Sequence, residues 1–414
     1  MSKRVEPEIE TFARIRVVGV GGSGLNAVNH MINSKVRGVE FVAVNTDTQD
    51  LHRSLAKKKI HIGKNLTRGL GAGMNPDIGR RAAEETRQQI QETLTGSDMV
   101  FITCGMGGGT GTGASPMVAK IAKEVGALTI AIVTKPFGFE GAQRRDIAER
   151  GLAELKKEVD AFIVIPNDKL LGIVEQTLSL KNAFALCDEV LREAVEGVSD
   201  IIRTPGDINT DFNDIKAIME GAGPTLMCIG IAEGDKRASE AAHRAVSSPL
   251  LDISISGAKG ILWVIAHSDD LGIMEVHEAS KIISESVDKN AKIIWGVMKD
   301  DKLKKGQIRI IIIATGFPES ASHSSHSGIE RSLFSMTAEK RDEDRGRIYH
   351  EIVSAKGGKR EDNTESKSEK VETTAVKDEP IVTATPHKRE ETPPAPEDDE
   401  TWGAIPAFLR RHKK

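Results

Sequence analysis

The stretch Cys104-Gly105-Met106-Gly107-Gly108-Gly109-Thr110-Gly111-Thr112-Gly113-Ala114 constrains this chain more than any other. It follows the apolar run 99–103 and precedes 115–122, whose Pro116 suits the first turn of a helix expected over 115–125, so the order is strand, loop, helix. Glycines let several backbone N–H groups converge on one point without Cβ obstruction, and the helix start adds the positive end of its dipole. Five glycines in the seven positions 107–113, interleaved with the hydroxyls of Thr110 and Thr112, are costly as a mere flexible turn. They read as a phosphate cradle. The cradle is not a P-loop, because no Gly-Lys-Ser/Thr ends it and the nearest lysine, Lys120, lies two turns into the helix.

A second glycine loop, Gly19-Val20-Gly21-Gly22-Ser23-Gly24, follows the strand-like run 15–19 and leads into a helical stretch ending near Ser34. With Asp47 closing the next strand, it fits a dinucleotide fingerprint, although such a glycine turn serves several nucleotide folds and sometimes only tight packing. A third glycine-rich loop spans 69–76. Three such loops suit a string of phosphates. Strand signals at 128–133 and 161–165 alternate with helical stretches near 77–95, 115–125 and 140–157, which predicts an α/β fold with a doubly wound parallel sheet. Ligands in such sheets sit beyond the carboxyl ends of the strands, where the three loops fall. Two more strand ends carry polar groups, Glu140 with Arg144 and Asn167 with Asp168, and each taken alone reads as a simple helix cap or surface pair.

One long helix is expected over 178–203, with an apolar stripe that includes Phe184, Cys187 and Leu191, stopped by Thr204-Pro205-Gly206. Asp188 interrupts the stripe near its start, and an acidic loop, 207–214, follows its end. At 1.5 Å per residue the helix holds Asp188 and Arg203 roughly 22 Å apart, too far for that loop to share a small ligand with Asp188. From Pro224 onward, strands at 226–231, 261–266, 293–297 and 308–315 and helices at 237–247 and 273–287 predict a second, smaller α/β domain with a mixed sheet. The expected organisation is a flexible start over 1–12, a nucleotide-binding domain over 13–177, the central helix, a catalytic loop region over 204–222 and the second domain over 223–317. Residues 318–400, rich in Ser, Glu, Lys, Asp, Pro and Thr, read as a disordered linker with a short helix near 329–336. The last stretch, 401–414, regains apolar residues and ends basic.

With 414 residues, 39% of them hydrophobic, the chain can bury a core large enough for two domains. A net charge of −4 and the lack of a basic-aromatic stripe argue against general nucleic-acid binding. The three cysteines, Cys104, Cys187 and Cys228, have no metal-ligand spacing and suit a reducing, cytosolic compartment. No run reaches the apolar length of a membrane span and the start lacks a signal-peptide core, so any membrane contact is expected to be indirect or peripheral.

Taken in order, Gly21 to Asn26, Asn45-Thr46-Asp47, 69–76, 107–113, Phe139-Glu140-Gly141, Ile165 to Asp168 and Asn209-Thr210-Asp211 closely resemble the FtsZ family of bacterial cell-division GTPases, within the tubulin superfamily. The resemblance covers 12–317 and again 402–411, and the 107–113 segment is its most specific part. It implies that Gly21, Gly22, Ser23, Gly24 and Asn26 line the phosphate side with Gly73, and that Gly107, Gly108, Gly109, Thr110 and Gly111 hold the β- and γ-phosphates. Glu140 and Arg144 would lie near the ribose, and Asn167, Asp188 and Phe184 at guanine. Asn209, Asp211 and Asp214 would complete the active site of a neighbouring subunit. Ser23 stands where many members have glycine. The ligands implied are GTP and GDP with Mg2+, whose protein ligands the sequence does not assign. The partners implied are further copies of the chain, in a homopolymer, and membrane-anchoring and regulatory division proteins bound by Trp402, Ile405, Pro406, Phe408, Leu409 and Arg410, with neither nucleic acid nor a membrane span. The location implied is the cytoplasm at the mid-cell division ring. Two rivals remain at this point: a Rossmann oxidoreductase resting on Gly19 to Gly24 and Asp47, and a filament scaffold that binds nucleotide without hydrolysing it. Since neither glycine cradle contains Lys or Arg, an isolated subunit is expected to hydrolyse poorly.

Overall fold

The computed structural model describes residues 13–172, 179–203, 206–208, 210–247, 255–268, 270–300 and 302–317. Strands and helices alternate from the start: β1 (Ile15–Val20), α1 (Gly21–Asn33), β2 (Val39–Asn45), α2 (Thr48–Arg53), β3 (Lys58–His61), α3 (Lys64–Thr67), α4 (Pro76–Glu85), α5 (Arg87–Leu94), β4 (Met99–Gly105), α6 (Thr110–Glu124), β5 (Leu128–Lys135), α7 (Ala142–Glu158), β6 (Ala161–Pro166) and α8 (Asn167–Leu171). The six strands pair in parallel in the order β3-β2-β1-β4-β5-β6. Every residue of β1 is buried, as a parallel strand covered on both faces requires. Its side chains alternate between two cores: Ile15 and Val17 pack into one with Met99 and Phe101, Val18 and Val20 into the other with Val100 and Ile102.

The chain then runs through α9 (Leu180–Arg203), β7 (Gly206–Ile208), α10 (Phe212–Met219), β8 (Gly223–Glu233), α11 (Arg237–Val246), β9 (Gly260–His267), α12 (Ile273–Glu285), β10 (Lys292–Lys299) and β11 (Gln307–Thr315). The sheet continues as β8-β11-β9-β10-β7, joined to β6 only at Ala161↔Gly223 and Phe162↔Pro224. This second half is mixed, since β9 and β10 are parallel while β8 with β11, β11 with β9 and β10 with β7 are antiparallel. Ala183, Cys187, Leu191, Ala194, Val195, Val198 and Ile201 make one buried stripe along α9, and the core they enter also holds Val17, Leu262, Val264, Ile311 and Ile313.

The expected α/β architecture is present, with local differences. α6 starts within the glycine run at Thr110, so Pro116 sits inside the helix instead of near its first turn. Close packing keeps Gly113 free of a side chain: a Cβ there would strike the carbonyl oxygen of Pro76, where α4 packs on α6. The single helix expected near 77–95 is two, broken at Thr86, whose ψ of 16° leaves the helical range and whose hydroxyl donates to the carbonyl of Ala82 at 3.2 Å. The short strands β3 and β7 carry no strong sequence pattern and add to the expected strands. Asn209, the start at 1–12, the linker and helix expected over 318–400, and Trp402, Ile405, Pro406, Phe408, Leu409 and Arg410 lie outside the described residues.

Candidate functional site

β1 and β4 are neighbours in register, Gly19 beside Thr103, so α1 and α6 start side by side at the carboxyl end of the sheet. Neither start is capped by a side chain, whereas α2 and α4 close by are capped by Asp47 and Asn75. Two helix N-termini thus leave backbone N–H groups and the positive ends of two dipoles open at one place. That is a site for a polyanion.

The loops close around it at distances only glycine allows. A Cβ on Gly21, whose φ is +73°, would lie 2.8 Å from the Gly111 nitrogen. One on Gly109 would lie 2.8 Å from both Ala72 Cβ and the Asn75 nitrogen, which brings the 69–76 loop against the cradle. Gly105 faces Ser23, whose Oγ would be 2.6 Å from an added Cβ, so the serine that departs from the family pattern is matched by a glycine opposite. Around Gly108 nothing lies within 4 Å of an added Cβ, and Gly73 is equally open at a φ of +55°. The rim is pinned by Thr46 and Thr110, whose hydroxyls are 2.6 Å apart, by Gly107 N–H donating to Thr112 Oγ1 at 2.9 Å, and by Thr48 N–H donating to the Gly69 carbonyl at 3.1 Å.

Beyond the cradle, a turn of 3-10 helix, Gly138–Glu140, precedes α7. Glu140 accepts from Phe137 N–H at 2.9 Å and pairs with Arg144 at 2.9 Å, while Arg144 Cγ crowds the place of a Cβ on Gly107. Phe139 stacks on Phe137, and Phe184 of α9 meets Phe137 edge-on at 5.3 Å. Asn167 starts α8 and is buried, yet its Oδ1 has no partner, and neither has the buried Arg144 Nε. Buried polar atoms are rarely left so, and these two mark where a polar ligand would add bonds. Burial pushes the Asp188 carboxyl up to about 7, while the charge of His30 pulls the other way. A carboxylate there is poorly solvated and gains from donors such as the N1–H and exocyclic amine of guanine. Its neighbour Glu189 behaves oppositely: burial raises it, but hydrogen bonds from His30, at 2.7 Å, and Arg192 hold it down at about 2.

The acidic pair stands apart. Asp211 caps α10, with Asp214 N–H donating to Asp211 Oδ1 at 2.8 Å and Asp211 N–H donating to Asp214 Oδ2 at 3.2 Å. Both are at the far end of α9 from Asp188. The structure therefore gathers Gly21, Gly22, Ser23, Gly24, Gly107, Gly108, Gly109, Thr110 and Gly111, with Glu140 and Arg144 beside them, and leaves Asp211 and Asp214 at a distance.

Asp50 carries no motif of its own in the sequence. Its Oδ2 accepts from Asn45 Nδ2 at 3.4 Å and lies 2.8 Å from the place of a Cβ on Gly22, at the mouth of the cradle. Only the fold reveals this, because Asp50 follows Asp47 as an ordinary acidic residue of a first helical turn. Among the described residues no three His, Cys, Asp or Glu side chains gather as a metal cage. One carboxylate beside a phosphate cradle fits Mg2+, which takes one or two carboxylates and completes its shell with phosphate oxygens and water. Asp47, on which the Rossmann alternative rests, caps α2, its Oδ1 accepting from the N–H groups of Gln49 and Asp50.

Comparison with known proteins agrees with this geometry. Residues 14–175 match the GTPase domain of the Tubulin/FtsZ family, and residues 223–318 match the C-terminal domain of the FtsZ family. An FtsZ dimer from M. jannaschii is 48% identical, with a TM-score of 0.70 over 74% of this chain and 89% of that one. A mutant FtsZ from M. jannaschii is 47% identical, with a TM-score of 0.70 over 74% of this chain and 92% of that one. CetZ2 from Haloferax volcanii, 21% identical, shares the fold with a TM-score of 0.64 over 74% of this chain and 94% of that one. The chain belongs to the FtsZ family of tubulin-like GTPases. Its ligands are accordingly GTP and GDP, and among the described residues no helix is long and apolar enough to cross a membrane.

Proposed function

We propose that the chain is a filament subunit that assembles head to tail, hydrolyses GTP at each junction and builds the cytokinetic ring of a dividing prokaryotic cell. The M. jannaschii neighbours widen this from a bacterial to a prokaryotic reading. In this reading Gly21 to Gly24, Asn26 and Gly73 line the phosphates, and Gly107 to Gly111 hold the terminal two. Glu140 and Arg144 take the ribose, and Asn167, Asp188 and Phe184 take guanine. Asp50 would hold Mg2+, which neutralises phosphate charge when bound. Asn209, Asp211 and Asp214 belong to the junction, where the carboxylates of Asp211 and Asp214 orient water against the phosphate of the next subunit.

The observation that carries this reading is the division of labour along α9. A rigid helix holds Asp188 and Arg203 roughly 22 Å apart by helical rise, and the acidic pair follows that far end in sequence, so this reading assigns the two to different nucleotides. Exposed apolar side chains surround each end, Leu70, Met74, Phe139 and Leu180 about the cradle and Ile208 beside the acidic pair, which is what a covered junction needs. The test is a mixing experiment. Asp211→Ala should bind GTP without hydrolysing it, and Gly108→Ala should not bind it. Mixed, the cradle of the first meets the acidic end of the second, and phosphate release should recover together with light scattering. Hydrolysis proportional to concentration down to dilute monomer, or no recovery on mixing, would count against the junction.

The tail stays a proposal from the sequence. Trp402, Ile405 and Leu409 share a face if residues 401–414 become helical on a partner, with Pro406 tolerable in the first turn and Phe408 and Arg410 adding contacts. Single tails bind weakly, and a filament presenting many of them binds strongly to membrane-anchored division proteins at a cytoplasmic mid-cell ring. Removing residues 401–414 should leave GTP hydrolysis near normal and abolish recruitment to partner-bearing vesicles. Undiminished recruitment would exclude the tail as the tether.

A further inference from the structure

Cations collect at the end of the sheet opposite the cradle. β1, β2 and β3 run parallel, with Ile15 level with Val39 and Val42 level with Lys58, so their N-terminal ends lie together. Residues 51–76 contain six Lys and Arg and no Asp or Glu, in a chain whose net charge is −4. Lys35 and Arg37 in the loop before β2, Arg53 at the end of α2, and Lys57, Lys58 and Lys59 at the start of β3 are all exposed. Glu40 pairs with Arg16 at 3.0 Å and Lys58 at 3.1 Å, and Asp98 pairs with Arg14 at 3.6 Å. Lys35, Arg37, Arg53, Lys57 and Lys59 form no ion pair with a described residue, although Lys59 Nζ donates to the His52 carbonyl at 3.1 Å.

Within this basic rim stands one large apolar side chain. Leu55 is 50% exposed, and its turn is held by Asn29 Oδ1, which accepts from Leu55 N–H at 2.7 Å and from Ser54 Oγ at 3.4 Å. β3 is an edge strand, and lysine on a free edge guards against stray pairing. That accounts for Lys58 and Lys59 but not for Lys35 and Arg37, which lie off the edge, nor for an outward leucine between Arg53 and Lys57. Lysine is a compact point charge with no directional fork, suited to a diffuse field of headgroups. Among residues 35–64 the one Phe, Tyr or Trp is Phe41, which is half-buried, so the patch presents no large aromatic face of the kind on which successive bases stack.

We propose that this end of the sheet docks on an anionic lipid membrane, with Lys35, Arg37, Arg53, Lys57 and Lys59 over the headgroups and Leu55 in the interface. The contact belongs to the single folded chain and does not depend on filament assembly or on the tail. A lysine near an anionic surface adds roughly fivefold to partitioning, so Lys57→Gln with Lys59→Gln should weaken it about 30-fold.

The full chain, held in GDP so that assembly plays no part, is floated with vesicles of phosphatidylcholine alone or mixed with phosphatidylglycerol. The expected result is flotation with the mixed vesicles only, released by salt, about 30-fold weaker for Lys57→Gln with Lys59→Gln and reduced by Leu55→Ser. GTP hydrolysis of these variants in solution should be unchanged, which keeps this test separate from that of the junction. A control, Arg410→Gln with Arg411→Gln, should still float. The proposal is overturned if the wild-type chain does not float, if flotation is insensitive to phosphatidylglycerol, or if the tail control loses it while the β3 variant keeps it. Tighter binding to duplex DNA than to vesicles at the same salt would also overturn it, assigning the patch to nucleic acid.

Discussion

Gly108 and Gly113 belong to one glycine run, yet substitution should separate them. An alanine methyl at Gly108 meets no atom of the protein within 4 Å and protrudes into the space the cradle leaves open, so Gly108→Ala should keep the thermal midpoint and lose GTP binding. At Gly113 the methyl is driven onto the Pro76 carbonyl, so Gly113→Ala should destabilise by about 1–3 kcal/mol or more, whatever helix propensity returns. Thermal melts paired with nucleotide binding check both, and equal stability loss in the two variants would contradict the division. Asp188 adds a pH dependence. Its folded value of about 7 lies above its ordinary 3.8, so folded protein holds the proton more tightly than unfolded chain. Its stabilising share is therefore present below about pH 4 and is lost as pH rises toward 7. On the proposed contact between guanine and this carboxylate, GTP affinity should fall as pH drops below 7, and binding near pH 6.5 should expel a proton. Titration calorimetry in buffers of different ionisation heat measures this, and Asp188→Asn should remove it. At this scale the sequence revealed the glycines and the acids but not their contacts: nothing in it distinguished Gly108 from Gly113, and Asp50 gave no sign that it overlooks Gly22.

α10 shows how a site can be tied to the element that carries it. Asp211 and Asp214 cap each other's backbone N–H groups, so each carboxylate keeps one oxygen for another task. Losing the cap in Asp211→Ala should cost about 1 kcal/mol, a drop of about 2–4 °C, too little to explain a loss of hydrolysis through unfolding. Asp214→Asn retains an acceptor oxygen for the cap and should melt near wild type while hydrolysis is still lost. Normal hydrolysis in both variants would remove the pair from the mechanism. Elements with a sustained period were readable, among them α9 with its continuous stripe and β1, β4 and β5 with their apolar runs. The misreadings came where tertiary contact outweighs local preference. Gly111 and Gly113 lie in α6 where neighbouring backbone leaves no room for a side chain, and β3 and β7 pair with β2 and β10.

Across the whole molecule, the nucleotide half and the second half share one hydrophobic core. Val17 and Phe101 of the parallel sheet, Leu191 and Val198 of α9, and Leu262, Val264 and Ile311 of the mixed sheet belong to it together. The backbone connection is slight by comparison, two bridged pairs between β6 and β8, with Gly223 N–H donating to the Asp160 carbonyl at 2.8 Å. Ion pairs reinforce the seam: Glu196 of α9 joins Arg192 to Lys302, and Arg309 of β11 reaches Asp200 at 3.7 Å. A shared core predicts that the halves unfold as one unit. The tryptophans allow a direct check, because Trp263 and Trp295, stacked at 5.8 Å in β9 and β10, lie in the second half, and Trp402, in the tail, lies outside the described residues. Nucleotide binds the first half and at 100 times its Kd stabilises the folded state by about 2.7 kcal/mol. If the core couples the halves, GDP should move the denaturation midpoint seen by tryptophan fluorescence by that full amount, although Trp263 and Trp295 lie in β9 and β10 and not in the cradle loops. A tryptophan transition that stays fixed while the nucleotide-dependent one moves would show that α9 joins two independently folding halves.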